Sequence, residues 1–181
     1  MTKFLLAVHV IAAIVAIGPV TVAASMFPPT ARKAFAAADA SDGTGVGTAP
    51  DADPDARSTL RLLHRICRVY ATLGVVVPVF GFATASNMGV LGDTWLIVSI
   101  ALTAVAAVVL AALVLPRQTA ILESVGGVTE SAARPAGPGP GSGSGPEKLT
   151  VRLAMFTGIF NLLWAVVTVL MIIRPGSTTG A

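Results

Sequence analysis

Apolar residues run almost unbroken through four stretches of this chain: Phe4 to Phe27, about Val69 to Met88, Trp95 to about Leu115, and about Leu153 to Ile173. None of these stretches contains Asp, Glu, Lys or Arg. A helix rises ~1.5 Å per residue and the hydrocarbon core of a bilayer is ~30 Å thick, so about 20 such residues suffice to cross it. The pattern predicts four transmembrane helices, 4–27, 69–88, 95–115 and 153–173. Proline sets three of the expected ends, because it lacks a backbone donor and restricts the residue before it. Pro28 and Pro29 are expected to stop the first helix, Pro116 the third and Pro175 the fourth, while the second ends in a turn at Asn87, Gly89 and Gly92. Gly18-Pro19 and Pro78 lie inside spans and are read as kinks, which can open a cavity or shape the bundle, shape being the preferred reading.

The polar intervals are of two kinds. Ala36 to Ala56 is an Ala, Asp, Gly and Pro tract, and 124–147 holds a Gly, Pro and Ser run from Arg134 to Pro146. Neither can build a core, so both are expected to be flexible loops. The irregular carboxylates Asp39, Asp42, Asp51, Asp53 and Asp55 lack the fixed geometry of a cation site. Basic residues concentrate on the same side as these loops, with Arg32, Lys33, Arg57, Arg61, Arg65 and Arg68 in one interval and Arg117, Arg134, Lys148 and Arg152 in the other. Cytoplasmic loops retain the excess of Lys and Arg, which predicts both loops inside and both termini outside. Val22-Ala23-Ala24-Ser25 resembles a signal cleavage site, but the apolar run exceeds the roughly 7–15 residues of a signal core and predicts a retained span.

Composition agrees with this pattern. The chain has 181 residues, 54% hydrophobic and 12% charged, with a net charge of +3. A soluble domain carries roughly 25% charge, so the class is an all-α polytopic membrane protein, a single four-helix domain over 1–181. The lone cysteine, Cys67, excludes an intrachain disulfide. Small residues at four-residue spacing, Ala12 and Ala16, Gly81, Ala85 and Gly89, and Ala107 and Ala111, are expected to be helix contacts, since close approach drives association in lipid. Trp95 and Tyr70 are expected at opposite interfaces.

Polar groups inside a membrane are costly and are the first candidates for function. His9 lies about a turn and a half into the first span, and Thr84, Ser99 and Thr168 fall near its depth. One imidazole can ligate haem iron or a metal while its other nitrogen donates to a neighbour. His64, the only other histidine, precedes the second span and lies on the order of 20 Å away across the bilayer. Asn161, near mid-depth, is expected to hydrogen-bond between helices. Arg57, Arg61, Arg65 and Arg68 recur at helical spacing and form a basic stripe suited to anionic headgroups or a partner. No recognition fold accompanies these arginines, so nucleic acid is not an expected partner. No catalytic motif is present, and the spans hold no carboxylate, which ranks a transporter low.

The segments Phe4-Leu-Leu-Ala-Val-His9-Val-Ile-Ala-Ala, Leu63-His-Arg65-Ile66 and Pro78-x-x-Gly81 resemble a family of small four-helix bacterial inner-membrane proteins of unknown function. More distantly they are similar to the CopD copper-resistance membrane domain and to the HemJ-type protoporphyrinogen oxidase. The resemblance implies a bacterial inner-membrane location and makes His9 the position of a b-haem or metal ligand. Ile14 to Val20 is apolar apart from Gly18-Pro19, where HemJ-type chains carry charged residues and a tryptophan. The expected function is a non-enzymatic accessory or assembly component, meeting membrane-protein partners or a second copy of itself. The alternative is a haem- or copper-handling redox protein centred on His9.

Overall fold

The computed structural model describes residues 2–42, 54–132 and 145–176, and these are helical throughout apart from short turns. The elements are α1 (Thr2–Asp42), α2 (Pro54–Leu73), α3 (Val76–Met88), α4 (Thr94–Val108), a π-helical segment (Val109–Val114), α5 (Leu115–Ala132) and α6 (Pro146–Ile173). Because α2 runs into α3, and α4 through the π segment into α5, they form four rods. Each rod contains a helix long and apolar enough to cross a membrane.

Two of the expected proline stops do not occur. α1 passes through Pro19, Pro28 and Pro29 without ending and continues to Asp42. Its buried face explains this: Val20, Ala23, Ala24, Phe27, Ala31 and Ala34 recur at helical spacing and are at most 5% exposed. Packing along that whole stripe outweighs the hydrogen bonds the prolines remove. Pro116 is likewise passed, and the six-residue π segment lies immediately before it. Widening the ladder there accommodates the missing donor, and the Arg117 guanidinium donates to Leu113 O at 2.8 Å in the same turn.

Pro78 acts one turn upstream of itself. Its ring opposes the carbonyl four residues earlier, at Gly74, and the second rod breaks there into α2 and α3, with Val77 N–H donating to Gly74 O at 3.2 Å. The remaining ends fall where expected. Gly89 caps α3 at φ 71°, and Val90 N–H reaches back to Ala85 O at 3.2 Å, a left-handed cap that a glycine adopts without strain. α6 ends at Ile173, before Pro175, with Arg174 at φ 45°.

The rods continue past the expected membrane boundaries. α1 has 41 residues and spans ~60 Å, about twice a hydrocarbon core. The expected loops therefore shrink: 36–42, 54–56, 124–132 and 146–147 are helical, and 43–53 and 133–144 lie outside the described residues. Here the ends of α1 and α5 meet the starts of α2 and α6, burying Phe27, Leu60, Ile121 and Leu153 completely. At the other end, near the α3–α4 turn, Ala85, Trp95 and Leu96 form a small separate cluster with Val90, Ile100 and Met171.

Of the small-residue stripes, Ala16 and Ala85 are buried, but Ala107 and Ala111 face outward while Ala106 and Leu110 take the core. Trp95 is only 6% exposed; its indole donates to Asp93 Oδ2 at 2.9 Å and lies under the Arg174 guanidinium. It is a core residue rather than a belt residue. Tyr70 is half-buried against the main core.

Candidate functional site

α1 brings the half-buried His9 against the first turns of α3. His9 Nδ1 lies 2.9 Å from Val77 O, the carbonyl of the amide that includes Pro78 nitrogen. A carbonyl only accepts, so Nδ1 carries the proton, and in the neutral ring Nε2 keeps its lone pair. Room for the ring comes from Gly81. A Cβ at that position would stand 2.9 Å from His9 Cε1 and 3.3 Å from Nδ1. His9, the Val77–Pro78 peptide and Gly81 thus form one contact between two rods. The sequence places these residues in separate motifs; the fold makes them a single seat for an imidazole.

The hydroxyls expected near His9 are engaged elsewhere. Thr84 donates to Phe80 O, Ser99 to Trp95 O and Thr168 to Trp164 O, each at 2.8 Å and each four residues back along its own helix. That is the usual resting state of Ser and Thr in an apolar helix. A backbone carbonyl, not a hydroxyl, is the partner of His9. Asn161 does join two helices, as its position suggested: Nδ2 donates to Ser25 Oγ of α1 at 3.1 Å.

The other histidine belongs to a second polar cluster. His64 Nδ1 donates to Gln118 Oε1 at 3.1 Å, and Gln118 Nε2 reaches Cys67 Sγ at 3.5 Å. Gln118 and Cys67 are fully buried, so one amide ties α2 to α5 in the interior. Gln118 was not legible in the sequence, because the expected stop at Pro116 put it in a loop. Its only signal is its position three residues after an uninterrupted apolar run.

On α2, Leu60, Leu63 and Cys67 face the core while Arg61, Arg65 and Arg68 are exposed and Arg57 is half-buried. The basic stripe is therefore the outer face of an amphipathic helix. Arg117, further round the same end, stacks its guanidinium 4.3 Å above the Phe156 ring. Among the described residues no group of three or more His, Cys, Asp or Glu side chains converges to hold a metal ion. Comparison with protein-family models, with curated proteins and with solved structures finds no match for this chain.

Proposed function

We propose that this chain is a multi-pass bacterial inner-membrane protein, with both termini outside, that serves as a non-enzymatic accessory or assembly component. The observation carrying this reading is the seat of His9. The most conspicuous polar side chain of the apolar segments spends its N–H on a backbone carbonyl and its ring on a glycine notch, which joins α1 to α3. Asn161 likewise joins α6 to α1, and the three hydroxyls are engaged by carbonyls of their own helices. Work on a partner then falls to the outer surfaces, where Arg61, Arg65 and Arg68 face anionic headgroups at the cytoplasmic side and contribute about 1 kcal/mol per basic residue.

The test is co-purification from native membranes under mild detergent. A defined larger complex that persists in His9→Ala supports an accessory role; a chain that stays alone at its endogenous level refutes it. Orientation is tested separately with Gly92→Cys and Ser142→Cys in a Cys67→Ala background. An impermeant maleimide should reach Gly92→Cys from outside and Ser142→Cys only after lysis; labelling of both from one side refutes the topology.

One observation favours the haem reading of His9. A ligating histidine usually donates its other N–H to a carbonyl, and the Nδ1 bond to Val77 O leaves Nε2 in that state. His9 would hold the haem iron through Nε2, and haem would supply one-electron chemistry. For copper, imidazole and further donors must converge, and among the described residues no group of three or more His, Cys, Asp or Glu side chains does so. A dithionite-reduced minus oxidised spectrum after expression with supplied haem decides: a b-type band lost in His9→Ala supports the ligand, and a flat spectrum removes it.

A further inference from the structure

The outer face of α2 carries an apolar seam as well as its arginines. Leu62, Ile66, Val69 and Leu73 follow one another at spacings of four, three and four residues, the spacing that aligns side chains along one helix face. Leu62, Val69 and Leu73 are exposed, and Ile66 is partly buried at the edge of the core. Arg61, Arg65 and Arg68 each precede a seam residue by one position, which sets them in a parallel row along a single flank. The other flank, with Leu63 and Cys67, belongs to the core.

In the membrane placement proposed above, lipid accounts for only part of this seam. The apolar phase begins near Val69, so acyl chains cover Val69 and Leu73. Leu62 stands seven residues further out and is 57% exposed. At the helical rise that is ~10 Å, beyond a headgroup layer of roughly 5–8 Å. A leucine is too short to reach back to the apolar phase as an arginine stem can. The arginines are unmet in charge. Among the described residues, none of the Arg61, Arg65 and Arg68 guanidinium groups has an ion-pair or hydrogen-bond partner, and like charges three and four residues apart on a helix repel. Headgroups can supply negative charge to this face but not an apolar cover for Leu62.

We propose that the seam is the docking surface for a membrane-spanning helix of a partner protein whose cytoplasmic continuation is acidic. That helix sets Leu, Ile or Val at the same spacing against Leu62 and Ile66, and Asp or Glu beside the arginine row. Continuity of the seam from Leu62 to Leu73 calls for a helix that itself crosses the membrane boundary, and the row of guanidinium groups fixes its charge. A second copy of this chain does not fit, because a twofold interface sets the same face on both sides and brings arginine against arginine. The inference rests on the accessory reading and names the chemistry of its partner.

The experiment reconstitutes the full chain in phosphatidylcholine bilayers with a synthetic peptide, a Leu/Ala span of about 20 residues continued by two heptads with Leu at the seam positions and Glu on their flanks. A second peptide carries Lys in place of each Glu. Energy transfer between a dye on the peptide and one on Ser142→Cys reads binding, while the native Cys67 is buried. The Glu peptide is expected to bind saturably and about tenfold more tightly than the Lys peptide. Arg61→Gln with Arg65→Gln should bring that ratio to about one, and Leu62→Gln, at an exposed position, should weaken the Glu peptide about fivefold. Transfer that never saturates, or is equal for the two peptides, is collision in the bilayer and overturns the proposal. Binding that Leu62→Gln leaves unchanged, or that phosphatidylglycerol added to the bilayer abolishes, overturns it as well, since charge or headgroups alone then account for the row. In native membranes the larger complex should be lost when Arg61→Gln, Leu62→Gln and Arg65→Gln are combined. A complex that persists there overturns this face and leaves the accessory role standing, whereas an unaltered chain that is already alone removes both.

Discussion

The two ends of this bundle are built from the same kinds of helix and differ in how they are held. At the end that carries the arginines, four helix extensions close over Phe27, Leu60, Ile121 and Leu153, and Gln118 links His64 to Cys67 inside that packing. At the end with the α3–α4 turn, the buried cluster is Ala85, Trp95 and Leu96, and specific contacts carry more of the cohesion: the seat of His9 on Gly81, and the Trp95 indole held between Asp93 and Arg174. Core area and directional contacts are thus used in different proportions. In the proposed membrane placement, the reason lies in the surroundings each end is built for. Helices that leave the apolar phase regain a hydrophobic drive to associate, whereas helices within it rely on close approach and hydrogen bonds.

The largest effect that could break this comparison is at Phe27. Phe27→Ala is expected to cost about 3–5 kcal/mol, and Ile14→Ala, at a 67% exposed position of the same helix, less than about 0.5 kcal/mol. Reversible unfolding in mixed micelles reads both; equal effects would mean that the end carrying the arginines is not a packed core. Next is Gly81. Its Cβ would stand 2.9 Å from His9 Cε1, so Gly81→Ala should destabilise by about 1–3 kcal/mol, and combining it with His9→Ala should recover most of that loss. Additive losses in the double mutant would show that the two residues do not share one seat.

Gln118→Ala strands the buried ends of two hydrogen bonds and should cost about 1–3 kcal/mol, with a Cys67 thiol that becomes more accessible to maleimide. If thiol labelling stays as slow as in the wild type, the amide is not what closes that interior. Smaller again is Asn161→Ala, at roughly 0.6 kcal/mol, the average for a hydrogen bond between membrane helices. Thr84→Ala and Thr168→Ala, whose hydroxyls return to their own helices, should fall within about 0.5 kcal/mol of the wild type.

Much of the architecture is a property of composition along the line of the chain. Twenty consecutive apolar residues form a helix in an apolar phase because every backbone donor must find an acceptor within its own segment, and no partner is needed to know it. Hence the four rods were legible, as were the Gly89 cap and the end before Pro175, where local stereochemistry alone decides. What the neighbours decide was not. Whether Pro28 and Pro116 stop a helix depends on the packing that lies beyond them, and here Ala31, Ala34 and Ile121 supply it. The partner of His9 is a carbonyl 68 residues away in sequence, and a main-chain acceptor leaves no side-chain signature. Gln118 became a buried link only because its helix ran on. The sequence by itself determined which segments are helical and apolar. The tertiary structure decided how far they run and which polar groups are paired, since each of these is a contact between positions that no local pattern joins.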